Sequence, residues 1–187
     1  MSIKIIKEKE NIYQDAIEII KKSNSRLFII ERSASLLLGA RKNSIEKKYL
    51  NLIEEYLYKL HDKSDKKFIY LYNYVTTKKE MFDRKIPFEK ITANFAILKN
   101  IKERCTERFI IKSFKEYGNP LIIGDREFSM WLTNPAGNFL CLSIENKRYT
   151  NFIFESYKNY AMHLVNSSIE ELIHEIEPKE ARESILD

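Results

Sequence analysis

Two short apolar runs constrain this chain more than anything else in it: RLFIIE at residues 26–31 and KFIYLYNYV at 67–75. Both are rich in β-branched and aromatic side chains, the composition of strands buried on both faces. Between them, NSIEKKYLNLIEEYLYKLHDK (43–63) repeats apolar residues at helical spacing. That spacing sets Ile45, Tyr49, Leu52, Ile53, Tyr56, Leu57 and Leu60 on one side, with Asn43 or Ser44 as the cap. Strand, helix, strand is a crossover unit, and a crossover makes a parallel pair.

The remaining segments extend that unit. Residues 10–23 place Ile12, Ala16, Ile19 and Ile20 on one helical face, and SASLLLGA (33–40) reads as a continuation of the first strand or as a second one. Residues 87–102 read as a helix with Pro87 in its first turn and Phe88, Ile91, Phe95 and Leu98 inward. From residue 106 the pattern turns to strands, TERFIIKSF, PLIIGD, EFSMWLT and NFLCLSIE, separated by turn-forming YGNP, GDRE and NPAGN. A helix follows in which Tyr149, Phe152, Ile153, Tyr157, Tyr160, Ala161 and Leu164 form one apolar stripe. The expected fold class is therefore α/β, a mixed β-sheet of β-α-β-α-β-β-β-α order flanked by helices. Residues 1–165 form one domain, and 166–187 form an acidic C-terminal amphipathic helix with Ile169, Leu172, Ile173 and Ile176 on one face.

Composition excludes several classes. A chain of 187 residues with 44% hydrophobic content has the length and material for one sizeable core. Its apolar runs are too short to span a bilayer, and MSIKIIKEKEN lacks the unbroken apolar stretch of a secretion signal. Cys105 and Cys141 form no CxxC pair, so reduced thiols and a cytoplasmic location are expected. His61, His163 and His174 have no second ligand at metal spacing, no phosphate-cradling glycine loop is present, and no triad can be named. No metal and no cofactor are expected. Net charge is +5, but residues 166–187 carry seven acids against Lys179 and Arg182. That tail is −5, which leaves the first 165 residues at +10, the difference between +5 and −5. A basic body of this kind suits an anionic partner.

Two groups of residues could meet one. Arg32, Ser33, Ser35, Arg41 and Lys42 follow directly on the first strand, and ligand groups gather at the carboxyl ends of parallel strands. A solvated loop with Glu31 and Arg32 paired locally is the alternative. Farther on, Lys102, Arg104, Arg108, Lys112 and Lys115 alternate with Phe109, Phe114 and Tyr117, the mixture that neutralises phosphates and stacks on bases. Strand alternation, however, turns those aromatics inward and leaves electrostatics alone.

The stretch YGNPLIIGDREFSMWLTN (117–134) and the element order around it resemble one half of a phospholipase D-like domain over residues 10–165. That superfamily carries HxK, four residues, then Asp, followed by a Gly-Ser turn, an edge strand and a long aromatic helix. Asp125 matches the family aspartate, while Gly118 and Pro120 stand at the histidine and lysine positions and Leu132-Thr133 at the Gly-Ser pair. The resemblance implies that the nucleophile and the phosphate-binding lysine are gone, since Gly has no side chain and Pro no donor. It further implies a ligand-sensing or regulatory role and a homodimer with a cleft near Asp125 and Thr133. The favoured reading is thus a domain without catalysis that binds a small anionic ligand or a protein partner. The alternative is a nucleic-acid-associated protein, a phosphodiesterase or nuclease relative. A third is an interaction protein built around the tail helix.

Overall fold

The computed structural model describes residues 1–39, 43–62, 65–115, 118–133 and 139–164. A single seven-stranded sheet organises them. Its strands are β1 (Ser2–Ile6), β2 (Arg26–Glu31), β3 (Lys67–Asn73), β4 (Phe109–Phe114), β5 (Leu121–Ile123), β6 (Glu127–Thr133) and β7 (Phe139–Glu145). They lie in the order β1-β7-β6-β5-β2-β3-β4. The two expected crossovers make β2, β3 and β4 parallel, and the later hairpins make β5, β6, β7 and β1 antiparallel. The chain is an α/β fold with a mixed sheet.

Both faces are covered around β2 and β3. Leu27, Ile29, Phe68, Tyr70 and Tyr72 point toward helices α1 (Lys9–Lys22), α3 (Ser44–Asp62) and α5 (Phe88–Cys105). Phe28, Ile30, Ile69 and Leu71 point the other way, toward Phe154 and Ala161 of α6 (Lys147–His163). The near-continuous apolar runs at the centres of β2 and β3 follow from this, because neither face meets water there. The inward residues expected of α1 are all buried, and Asn43 caps α3, its Oδ1 accepting from the amides of Ile45 and Glu46.

Four local expectations are corrected. SASLLLGA is not strand: residues Ser35–Leu38 form a short helix, α2, ended by Gly39 at a positive φ of 75° that favours glycine. The strand KFIYLYNYV stops at Asn73, whose side chain accepts from the Thr76 amide and starts α4 (Tyr74–Asp83). A side-chain cap overrides the β-propensity of Tyr74 and Val75. Strand β1, absent from the expected order, pairs antiparallel with β7 and occupies the sheet edge. On α6 the buried residues are Thr150, Phe154 and Ala161, with Ile153, Tyr157 and Leu164 packed alongside, whereas Tyr149, Phe152 and Tyr160 are 55%, 69% and 46% exposed. An apolar stripe wider than the surface it meets leaves its flank in water. The tail expected as an acidic helix, 166–187, lies outside the described residues.

Candidate ligand cleft at the end of strand β2

At the carboxyl end of β2 the backbone leaves the sheet through Arg32 and Ser33 before turning into α2, and a cleft opens there. Its cavity volume is about 180 Å³, and its walls include Lys9, Tyr13, Glu31, Arg32, Tyr49 and Trp131. The floor is Glu31, a buried carboxyl. It accepts from the Ser35 amide at 2.9 Å, from Ser35 Oγ at 2.6 and 2.8 Å, and from the hydroxyls of Tyr70 and Tyr49. Burial pushes its pKa above the ordinary glutamate value, and these donors pull only part of the way back. The same burial, with the neighbouring Glu31 charge, drives the Tyr49 and Tyr70 hydroxyls well above the usual tyrosine range. They stay protonated and serve as donors.

The side wall is aromatic. Tyr13 meets Tyr49 and Trp131 edge-on, with ring centroids 5.5 and 5.2 Å apart. Lys9 bridges the rim, its Nζ 3.0 Å from Glu46 and 5.8 Å above the Tyr13 ring. Trp131 Nε1 is buried and has no hydrogen-bond partner among the described residues. A buried donor left unpaired is costly, so a group at this wall calls for an acceptor.

Outside the cleft the floor continues into a wider depression of about 820 Å³, which shares Arg32, Glu80 and Arg84 with it. Lys79, Lys85 and Lys90 complete its cations, and Asp83 is the other acid. Five positive side chains thus surround two negative ones. Arg84 is held in place by the Gly39 carbonyl at 3.0 Å and by Glu80 at 3.9 Å.

The sequence-derived residues divide between several places. Arg32, Ser33 and Ser35 line the cleft, and Ser35 also orients Glu31 there. Arg41 and Lys42 lie outside the described residues. Thr133 ends β6 at the same end of the sheet as the cleft, two residues beyond Trp131. Asp125 sits at the opposite end, because β5 runs antiparallel to β2 and carries it back to Arg26. There its carboxylate accepts from the amides of Asn24, Ser25 and Arg26 at 2.7, 3.1 and 3.1 Å and from Ser25 Oγ at 2.6 Å. Partial burial works to raise its pKa, but these four donors outweigh it and bring the carboxyl below the ordinary value. Asp125 closes the start of β2. Asp125 and Thr133 do not converge within one chain.

The basic strand region is also partly committed. Lys112 Nζ reaches the carbonyls of Met162 and Leu164 at 3.3 Å, and Arg108 donates to the Leu60 carbonyl at 2.8 Å. Each cation closes the end of a helix, where unpaired carbonyls gather. Phe109 and Phe114 are buried and offer no face to a base, and Tyr117 lies outside the described residues. Lys102, Arg104 and Lys115 are exposed.

Sequence reasoning missed Lys79, Arg84 and Lys85 because it left α4 and the turn after it unassigned, and it passed over Lys90 on α5, of which it read only the inward face. The Asn73 cap followed by Thr76-Thr77 was the available signal. It also passed over Lys9, Tyr13 and Trp131, which come from distant elements and meet only in the fold. Among the described residues no group of His, Cys, Asp and Glu side chains is arranged to hold a metal ion, and no described helix is long and apolar enough to cross a membrane.

No family model matches the chain, and no curated protein sequence matches it. Among solved structures it is similar to that of TrmBL2, an archaeal chromatin protein described as showing a novel mode of DNA binding. The similarity has a TM-score of 0.53 at 13% identity and covers 86% of this chain. This chain spans about half of that one, 52% of its length. At that identity the likeness is one of fold.

Proposed function

We propose that this chain is a regulatory domain without catalysis that binds a small anionic ligand at the end of β2 and works as a homodimer. The carrying observation is the ring of Arg32, Lys79, Arg84, Lys85 and Lys90 beside a cleft whose wall holds an unpartnered Trp131 donor. Cations outnumber acids there, and a planar arginine fork suits carboxylate or phosphate oxygens. Resemblance to a degenerate phospholipase D-like half supports the same reading, since Gly118 and Pro120 stand where the nucleophile and its lysine would be. Thermal melting with inorganic phosphate, pyrophosphate and small dicarboxylates tests it. At least one of these raises the melting temperature of the wild type, and K85E/K90E abolishes that rise without lowering the unliganded transition. Equal shifts in both proteins refute the assignment.

A second reading rests on the fold shared with TrmBL2: a nucleic-acid-associated protein that uses the basic surface on the phosphate backbone. Fluorescence anisotropy of single- and double-stranded oligonucleotides across a salt series separates the two. Several phosphate contacts give a steep loss of affinity with salt, and no binding even at low salt ends this reading.

A further inference from the structure

The cleft at the end of β2 and the depression outside it are two chambers of different chemistry. The inner one is walled mainly by apolar and aromatic side chains, Ile12, Leu50, Leu121, Tyr13, Tyr49 and Trp131, around a volume of about 180 Å³. Its one deep carboxyl, Glu31, is already taken up by Ser35, Tyr49 and Tyr70. A cavity of about 150 Å³ holds one benzene ring, so at the same packing this chamber takes about seven ring atoms. That is a single substituted ring, and a fused pair of rings is too large. The unpartnered Trp131 Nε1 favours a ring with an acceptor on its edge over a plain hydrocarbon.

The two chambers meet at a neck where Arg32, Glu80 and Arg84 border both. Gly39 lines the inner side of it, its carbonyl accepting from Arg84 at 3.0 Å. A Cβ on Gly39 would lie 3.3 Å from Lys90 Nζ, so two cations converge at this point against bare backbone. Glu80 is the acid common to both chambers, and a carboxylate there repels phosphate but accepts from sugar hydroxyls, as the acidic residue beside a bound ribose does. Beyond the neck, five cations against Glu80 and Asp83 leave a charge of +3. One carboxylate does not balance that, whereas a terminal diphosphate carries about −3.

Ring chamber, hydroxyl-accepting neck and cationic mouth follow one another in the order of the parts of a nucleotide. We propose that the two chambers together bind a pyrimidine nucleoside diphosphate, its ring beside Tyr13 and Trp131, its ribose at Glu80 and its phosphates among Arg32, Arg84, Lys85 and Lys90. The inference rests on the anion-site reading above and names its ligand. Side chains rather than a glycine loop meet the phosphates, so the site carries no nucleotide-binding sequence motif.

The test is isothermal titration calorimetry of the full chain with UDP, CDP, ADP, uridine and pyrophosphate. It is run alongside the fluorescence of Trp131, the chain's single tryptophan. UDP or CDP binds about 50-fold more tightly than pyrophosphate, the gain expected of the base's added atoms at ordinary ligand efficiency. The same nucleotide changes the Trp131 emission, and pyrophosphate, confined to the outer chamber, does not. K85E/K90E abolishes UDP binding, and because both lysines are exposed the variant keeps its fold. UDP binding unchanged in that variant, or uridine as tight as UDP, overturns the placement of the phosphates. ADP as tight as UDP or tighter overturns the single-ring assignment. Pyrophosphate as tight as every nucleotide, with Trp131 emission unmoved, overturns the inner chamber and leaves the anion reading standing. No binding by any of the five compounds ends both.

Discussion

Replacing Asp125 by alanine separates a structural role from a ligand-binding one. Its carboxylate accepts four hydrogen bonds at the start of β2, three of them at solvent and one partly buried. A hydrogen bond to a charged group contributes about 1.5–3 kcal/mol when water cannot replace it, and far less when it can. One bond at full strength and three at a fraction give about 3 kcal/mol for D125A. For a chain of this size that lowers the melting temperature by roughly 6–12 °C. The pH dependence follows from the depressed folded pKa. The stabilisation is present above the unfolded aspartate value of about 3.9 and is lost as pH falls through the folded one. Calorimetric melts of the wild type and D125A should therefore lie far apart at neutral pH and draw together below about pH 4. Unchanged melting in D125A, together with loss of a ligand-induced shift, refutes the reasoning and returns Asp125 to the ligand site.

Three further outcomes follow from the packing. A Cβ on Gly124 would lie 2.3 Å from Ser23 Oγ and 3.0 Å from Ile19 Cγ2. Urea denaturation should show G124A destabilised by about 1–3 kcal/mol, with part of the loss recovered in S23A/G124A. Glu31 has a raised folded pKa, so its contribution is full below the unfolded value of about 4.3 and fades as pH rises through the folded value. Denaturation from about pH 4 to pH 8 should show wild-type stability falling relative to E31Q, and parallel curves would place the charge elsewhere. Burial pushes the Cys141 thiol up to about 11, and Cys105 is buried as well. Both thiols should resist a maleimide in the native protein and react on unfolding, whereas rapid native labelling contradicts the core placement.

Periodicity is a local property, and what it governs was legible from the sequence. The apolar runs at 26–31 and 67–75, the helix between them and the hairpins after residue 106 yield a mixed α/β sheet. These segments bury their faces wherever the chain takes them. Where a single side chain or the chain's edge decides, periodicity fails. Asn73 converts the end of a strand-like run into α4, and β1 is too short and too exposed to carry an alternation signal. The α6 stripe shows the same limit, since its spacing marks apolar residues without saying how wide a surface awaits them. For the site, the sequence placed Arg32 and Ser33 correctly at a strand's carboxyl end, because that position follows from the crossover. Tertiary structure alone decided that Lys9, Tyr13, Trp131 and the α4–α5 cations meet there while Asp125 does not. Antiparallel pairing of β5 with β2 carries Pro120 and Asp125 to opposite ends of the sheet, and strand direction within a sheet is set by partners remote in sequence.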